Sequence, residues 1–433
     1  MKNDILKLEC IDMSIDGQGI CKKDGFVYFV KGMIVDEVAD VKVISEKKNM
    51  AFGIINRMIK PSKYRIESLC PISYKCGGCD YRYIDYDYQL VLKKKQLIQT
   101  FKNFNLNVIV DDVIKCDEPL YYRNKTQVPV KDHQFGFYRK FSNDIVEFDE
   151  CLIETKLSNE ILKDLKILLI ENKLDSYIRH ILIKHGFGTG QVMIGFITKS
   201  FDIDLKEIVN VITSKYKNIK SIILNLNNKD TNVILGDKEK IIFGKDYIYD
   251  EFEGLRFKIS LKSFYQVNYH QMIKLYKTLE TKAKLSLNDS VLDLYSGIGT
   301  ISLFIANKVK DVVGIEIVKE AVDNALENKN INHISNASFI LEDAKNPLDE
   351  YIKDKDLVIV DPPRKGLNDN LINSLIKSNV NKIVYVSCNP ATLARDLTLF
   401  KDYFNYSSIT PVDMFPHTTH VECVVSMQRK DNM

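Results

Sequence analysis

The sequence is most informative first in what it lacks. Only 10 of its 433 residues are proline, no segment repeats and none is of low complexity. No uninterrupted apolar run approaches the roughly 18 residues needed to span a bilayer. The opening stretch MKNDILKLECIDMSIDGQG carries a charge every few residues and has no apolar signal-peptide core, so a cytoplasmic protein with no membrane span is expected. The formal net charge is only +3, too mild to demand a nucleic-acid partner by itself. Nine cysteines, an odd number in a chain with no secretory signal, argue against a disulfide framework and turn attention to catalysis or metal binding.

What is present is an ordinary globular composition, 45% hydrophobic and 27% charged, in a chain long enough for two or three compact units. Residues 4 to about 60 alternate in strand fashion between glycine turns and read as a small closed barrel. Residues 85–104 place Tyr86, Leu90, Leu97, Phe101 and Phe104 on one side and Lys93 to Lys95 elsewhere, which predicts an amphipathic helix. From Leu120 to about Val267 the pattern is mixed and strand-rich, with one helix around LSNEILKDLKILLIENKL. After His270, strands alternate with helices (SVLDLYSG, DVVGIEIV, ASFILED, DLVIVDPP, KIVYVSC), which calls for a doubly wound α/β domain with a mostly parallel sheet.

Chemistry-bearing residues cluster at the ends of those strands. VLDLYSGIGTISLFIA is a strand, a turn with Gly297 and Gly299, and a helix, a place where backbone can approach a ligand closely. The next strand ends in Glu316, placed to accept both hydroxyls of a ribose, and the following ones end near Asp343 and Asp361. Successive acids suit a cofactor with a ribose, an adenine and a cationic amine. S-adenosylmethionine fits better than NAD, because the turn lacks the third glycine of dinucleotide folds. The stretch VYVSCNPATLARD runs a strand into Cys388 at a helix start, where the dipole favours a thiolate. Position alone leaves a nucleophile and a small buried hydrophobe equally open.

Upstream, CPISYKCGGCDY sets Cys70, Cys76 and Cys79 with five and two residues between them. Three thiolates on a Gly-Gly turn form a partial metal site, with Cys151 favoured over Cys116 as the fourth ligand. Zinc is open at this point, although structural zinc sites usually pair two short knuckles.

Taken in order, SFYQVN (residues 263–268), DLYSGIGT, DPPRKG, SCNP and HVEC resemble the RNA (uracil-5-)-methyltransferase family, over close to the whole chain. The resemblance implies methyl transfer from S-adenosylmethionine to C5 of a uridine, in a Rossmann-like class I methyltransferase domain. It carries cofactor contacts onto Gln266, Tyr295, Glu316, Asp343 and Asp361, with Gly297 and Thr300 lining the turn. It makes Cys388 the nucleophile, because addition of a thiolate to C6 turns the ring into an enolate whose C5 can attack a methyl group. Of His417, His420 and Glu422 in HTTHVECVV, it carries the base that removes the C5 proton onto Glu422; Cys423 points to the other strand face, toward the core. Amino-methyltransferases follow their D/N-P-P loop with an aromatic, whereas Arg364 follows here.

The same resemblance decides the cysteine motif for a [4Fe–4S] cluster on Cys70, Cys76, Cys79 and Cys151, as in ribosomal-RNA members, with a structural or RNA-positioning role. It names the N-terminal barrel a TRAM domain, of the oligonucleotide-binding kind, and barrel plus cysteines point to the 23S ribosomal RNA branch rather than the transfer RNA branch. YYRNK (residues 121–125) and FGFYRK (residues 135–140) interleave rings and cations, and Arg123 and Phe264 are the expected RNA contacts. The uridine should be flipped out of its stack to react. The expected organisation is a barrel over 1–60, a central domain with the iron–sulfur loop over 61–265, and a methyltransferase domain over 266–433. A helix near 87–115 is expected to pack back on the last of these, and the protein is expected to be a monomer. Two rivals are a noncatalytic RNA-binding protein and an amino-methyltransferase acting on adenine or guanine.

Overall fold

The computed structural model describes residues 2–229 and 231–430. Strands β1 (Ile5–Met13), β2 (Gly19–Lys23), β3 (Phe26–Lys31), β4 (Val38–Lys47) and β5 (Met50–Lys60) close into a barrel in the order β1-β2-β3-β5-β4. Alternate side chains, among them Leu8, Cys10, Cys21, Tyr28, Val30, Val41 and Val43, fill its interior, as the period-two pattern requires. The barrel is sealed onto the following segment by the buried Glu37 carboxylate, which accepts from Ile34 N, Ser62 N and Arg65 Nε.

Helix α1 (Tyr86–Asn103) starts at Asp85, whose side chain caps Tyr88 N. Its buried residues are Gln89, Leu92, Lys93, Leu97 and Phe101, which differs from the stripe read from the sequence. The cause is that the helix is wedged between two bodies. Leu92 enters the barrel core, while Leu97 and Phe101 enter the outer core of the C-terminal sheet. Lys93, between these contacts, is fully buried, and its ammonium pairs with the equally buried Asp413 at 2.5 Å. Phe104, expected inside, is 36% exposed.

The central region is a seven-stranded sheet in the order β12-β11-β10-β9-β6-β7-β8. Its elements are β6 (Lys125–Lys131), β7 (Gln134–Tyr138), β8 (Ile145–Glu147), α2 (Lys156–Glu171), β9 (Ile178–His185), β10 (Val192–Thr198), α3 (Lys206–Lys215), β11 (Ile219–Leu226) and β12 (Lys238–Gly244). Strand β10 is buried along its whole length because α2 and α3 cover one face and the rest of the chain the other. The other face meets the hairpin β13 (Tyr247–Phe252) and β14 (Leu255–Ser260), whose Phe252, Phe257 and Ile259 join the core beneath α4 (Tyr269–Ala283).

The C-terminal elements are β15 (Ser290–Leu294), α5 (Thr300–Ile305), β16 (Asp311–Glu316), α6 (Lys319–Ile331), β17 (Ala337–Leu341), α7 (Asp349–Ile352), β18 (Leu357–Val360), α8 (Asp369–Lys377), β19 (Lys382–Ser387), α9 (Pro390–Phe400), β20 (Phe404–Tyr406), β21 (Thr410–Val412) and β22 (Glu422–Arg429). The sheet runs β17-β16-β15-β18-β19-β22-β20; its first five strands are parallel, β22 is antiparallel, and apolar layers cover both faces. This is the class I methyltransferase arrangement joined to a small closed barrel. No helix among the described residues is long and apolar enough to cross a membrane.

Removing one member of a buried ion pair strands the other in a low-dielectric interior and costs about 3–5 kcal/mol, whereas replacing both by apolar groups costs much less. Lys93→Met should therefore lower the thermal unfolding midpoint sharply, and Lys93→Met/Asp413→Leu should recover part of it. Equal losses in both variants would show that the pair carries no special weight.

Candidate active site

Strand order fixes the site. Leu294 of β15 pairs with Ile315 of β16 on one side and Val360 of β18 on the other, and β18 leads to β19 through Val360 and Tyr385. The residues just past these strand ends therefore share one edge, in the order Asp343, Glu316, Tyr295, Asp361 and Cys388. On the antiparallel partner, Ser387 pairs with Cys423, so the next step of the register sets Cys388 opposite Glu422. The chain reverses its winding direction between β15 and β18, the place where open α/β sheets form a ligand crevice.

The turn after β15 is built to receive a ligand. Tyr295 has φ 66°, an uncommon conformation for a side chain of its size. A Cβ on Gly297 would stand in open space, whereas one on Gly299 would meet the Phe339 ring at 2.7 Å and Ala325 at 3.3 Å. Gly297 thus faces the crevice, and Gly299 lets α5 pack tightly, the duty assigned to a third glycine in dinucleotide folds. The Thr300 hydroxyl lies 2.9 Å from that of buried Tyr276. The Glu316 carboxylate is fixed by accepting from Gly297 N at 3.0 Å and Val318 N at 2.9 Å. Asp343 Oδ1 accepts from Lys345 N. Gln266 is buried in a loop tied to the central sheet through Asn124 Nδ2, which donates to the Gln266 carbonyl at 2.9 Å. Buried Lys184 holds the start of that loop by donating to the Ser260 and Ser263 carbonyls.

Crowding of acids sets the electrostatics. Burial, then the Asp361 carboxylate, pushes Glu422 up to about 8, with Arg364 opposing. Burial and Asp293 push Asp361 up to about 7. Asp293 itself, which the sequence pattern did not single out, is raised to about 7 by burial; it accepts from Ser302 Oγ and has one oxygen with no hydrogen-bond partner. Its signal was an acid inside the apolar strand VLDL.

Cys388 corrects an expectation. Burial first, then Glu422 and Asp361, push its thiol up to about 11, with Arg364 opposing, so the helix start does not leave a standing thiolate. The side chain lines a cavity of about 230 Å³ with Arg364, His420, Thr419, Lys93 and residues Ile15 and Asp16 of the barrel. His420 is exposed at this cavity. His417 is buried: it lies 3.2 Å from Gln89 Nε2, and its carbonyl accepts from Asp80 N and Tyr81 N. Cys423 is fully buried in the core.

Cys70, Cys76, Cys79 and Cys151 line a separate cavity of about 340 Å³. Cys116 lies elsewhere, beside Asn268. Among the described residues, no three of His, Cys, Asp and Glu stand close enough to hold a single metal ion. Arg82 and Arg123 line the same cavity, and Arg82 has two buried guanidinium nitrogens, Nε and one terminal nitrogen, without a hydrogen-bond partner. The Nε of Arg123 faces the buried Glu154 carboxylate at 3.2 Å, so this guanidinium is ion-paired. Phe264 is 70% exposed. Most rings of the two aromatic and basic stretches serve packing: Tyr122 and Phe135 are core residues, and Phe137 stacks on Phe148.

Comparison with known proteins agrees with this geometry. A family model described as tRNA (Uracil-5-)-methyltransferase matches residues 85–430. An uncharacterized RNA methyltransferase of Bacillus cereus is 40% identical over 448 residues, covering 99% of this chain and 97% of the relative. One of Clostridium acetobutylicum is 38% identical over 451 residues, covering 99% and 98%. Among solved structures, the Pyrococcus abyssi tRNA (uracil-54, C5)-methyltransferase in complex with S-adenosyl-L-homocysteine superposes with a TM-score of 0.80 at 28% identity, covering 97% of this chain and 99% of that one.

Because its thiol is raised to about 11, alkylation of Cys388 by iodoacetamide should be slow at neutral pH and climb as pH rises toward that value. Glu422→Gln removes a charge that opposes the thiolate, so it should speed alkylation, most of all above pH about 8 where Glu422 is ionised. A rate that levels off near neutrality, followed by mass spectrometry of the Cys388 peptide, would contradict this.

Proposed function

The chain belongs to the tRNA (uracil-5-)-methyltransferase family, and from that premise we propose that it makes 5-methyluridine at a specific uridine of 23S ribosomal RNA by covalent catalysis through Cys388. It is an S-adenosylmethionine-dependent RNA methyltransferase directed at C5 of uracil. Neither rival, the noncatalytic RNA binder nor the amino-methyltransferase, accords with this membership. The observation that carries the mechanistic reading is the register that sets Cys388 opposite Glu422, next to Asp361 on the same sheet edge.

The crevice fits the cofactor. Gly297 leaves room for it, Glu316 presents a fixed carboxylate for ribose hydroxyls, and the raised acids Asp361 and Asp293 favour a positive charge beside them. Gln266, Tyr295 and Asp343 complete the proposed contacts. When bound, S-adenosylmethionine supplies a methyl group on a sulfonium whose remainder departs as a neutral thioether.

In the proposed reaction Cys388 gives up its proton to a neighbouring carboxylate, and its sulfur bonds to C6 of the flipped uracil. The C5–C6 π electrons move toward O4, where Arg364, in the same cavity, supplies positive charge. C5 then takes the methyl group and briefly carries both it and a hydrogen. Glu422 removes that hydrogen as a proton, the C5–C6 double bond re-forms, and the bond from C6 to sulfur breaks. A carboxyl raised to about 8 holds a proton tightly once it has taken it, which suits this last role.

Four cysteine sulfurs lead the donor set of the cysteine cavity, which Glu150 and Glu154 also line; four thiolates suit a polynuclear cluster, and among the described residues no three donors stand close enough for a single ion. The orphaned N–H groups of Arg82 suit an anionic tenant, which four thiolates around a [4Fe–4S] core would be. We assign the cluster a structural role, with no step of the reaction passing through it. The barrel is proposed as a TRAM-type RNA-binding domain, with 1–60, 61–265 and 266–433 as the working division of a monomeric, cytoplasmic enzyme.

The ribosomal assignment rests on the cysteine pattern. Contrary to the expectation from sequence, the barrel does not separate the two substrates, because a transfer RNA enzyme matches 97% of this chain, a span that must include most of the barrel. Transfer RNA is therefore the second reading.

The two are separated by trapping the enzyme on 5-fluorouridine-substituted 23S ribosomal RNA fragments and transfer RNA. Fluorine at C5 cannot leave as a proton, so a methylated adduct should persist at Cys388 and reveal the RNA and the uridine together. Adduct on transfer RNA alone would replace the ribosomal reading; methyl transfer without any adduct would overturn the mechanism. On ordinary RNA, Glu422→Gln should slow turnover by about 10²–10⁴-fold and accumulate the methylated adduct. Anaerobically purified protein should hold about four iron atoms and as many sulfides per chain, lost in Cys79→Ser. Stoichiometric zinc instead would sink the cluster assignment.

A further inference from the structure

A second cavity lies beside the one that holds Cys388, on the far side of the barrel loop between β1 and β2. Asp16 in that loop lines both. The loop also touches the segment leading to Glu422: a Cβ on Gly17, where φ is +76°, would meet Thr419 at 3.0 Å and Tyr81 at 3.1 Å. The second cavity measures about 450 Å³, within the range of roughly 300–1,000 Å³ typical of ligand sites. Ile54, Ile55 and Met58 of the barrel give it an apolar floor, and Tyr74 and Tyr83 give it aromatic walls.

Its rim is cationic and carries an exposed ring. Lys31 and Lys140 both line the cavity, and Arg139 precedes Lys140 in the chain. Asp80, paired with Lys140 at 2.5 Å, offsets only part of this charge. Phe141 stands 89% exposed with φ 63°, an aromatic side chain held in water on a left-handed backbone. Apolar floor, exposed ring with the Lys140 ammonium 5.6 Å from its centroid, and neighbouring cations are together what a single-stranded nucleic acid requires: a face to stack on and a site for its phosphate.

We propose that this cavity captures a second unpaired nucleobase of the same RNA strand, within a few nucleotides of the target uridine, with Phe141 stacking on it and Lys31 and Lys140 flanking its phosphate. The proposal rests on the reading of the Cys388 cavity as the uridine site. It makes the barrel loop a divider that the strand crosses, with one base on each side. The identity of the flanking base would then contribute to target choice.

The test uses the RNA fragment that the wild-type protein traps at Cys388, ribosomal or transfer, with single abasic substitutions placed around the target uridine. One abasic position should lower kcat/KM by about 5- to 100-fold, the worth of one stacked base, chiefly through KM. Phe141→Ala should cause a similar loss on intact RNA and no further loss on that abasic RNA. At saturating RNA it should still form the 5-fluorouridine adduct. 2-Aminopurine at the sensitive position should be quenched on binding wild type and less so on binding Phe141→Ala. Full activity of Phe141→Ala on intact RNA, or a loss that adds to that of every abasic position, would overturn the second-base site while leaving the uridine reading in place. Absence of any adduct with wild type would remove both.

Discussion

The arrangement depends on a buried charge pair. Lys93 on α1 and Asp413 just after β21 are withdrawn from water together, and neither is tolerable there alone. The pair is further satisfied: Tyr86 donates to the Asp413 carboxylate, and Lys93 also donates to the Phe415 carbonyl. Gln271 of α4 donates to the Asp413 backbone carbonyl. The segment from Asp413 to Glu422 is thus clamped from both sides. An apolar pair of equal volume would pack there, but it would not define one register between helix and segment, and Glu422 depends on that register.

Helix α1 carries this constraint outward. Gln89 donates to the Tyr81 and Ile84 carbonyls and accepts from His417 N, so helix, cysteine loop and catalytic segment meet at one buried amide. Asp80 N and Tyr81 N, directly after Cys79, donate to the His417 carbonyl. Order in the cysteine loop is therefore transmitted to the strand that begins at Glu422 through two backbone hydrogen bonds. A cluster with no part in the chemistry would still act on the active site by this route, which is why a structural assignment suffices for it.

The strand ends were legible in the sequence because they are local. An acid or a cysteine at the end of an apolar run before a glycine or a helix cap keeps its place whatever surrounds it, and Glu316, Asp361 and Cys388 fall on one edge because parallel strands align their ends. Properties set by distant partners were not legible. Lys93 reads as a solvated lysine until Asp413, far along the chain, is brought against it. Arg123 gives no sign in the sequence of the ion pair it makes with buried Glu154. The thiol of Cys388 reads as activated by a helix start until burial and two acids are counted against it. Helix α3 and the hairpin partner β13 were missed for a related reason: their short amphipathic segments take their character from the sheet they cover.

The electrostatics tie the thiol of Cys388 to the acids beside it. Asp293 raises Asp361, Asp361 raises Glu422 and Glu422 raises Cys388, so the row of acids is coupled to the thiol. A cation entering beside Asp361 favours the ionised form of every acid in the row, and a carboxylate freed of its proton can accept one from Cys388. Arg364 acts in the same sense on both the thiol and Glu422. In the proposed mechanism, nucleophile and base are therefore prepared by the arrival of the methyl donor's charge. A thiol that stays protonated until then is shielded from oxidation and from addition to the wrong electrophile, and the raised value at Cys388 becomes part of the design of the site instead of an obstacle to it.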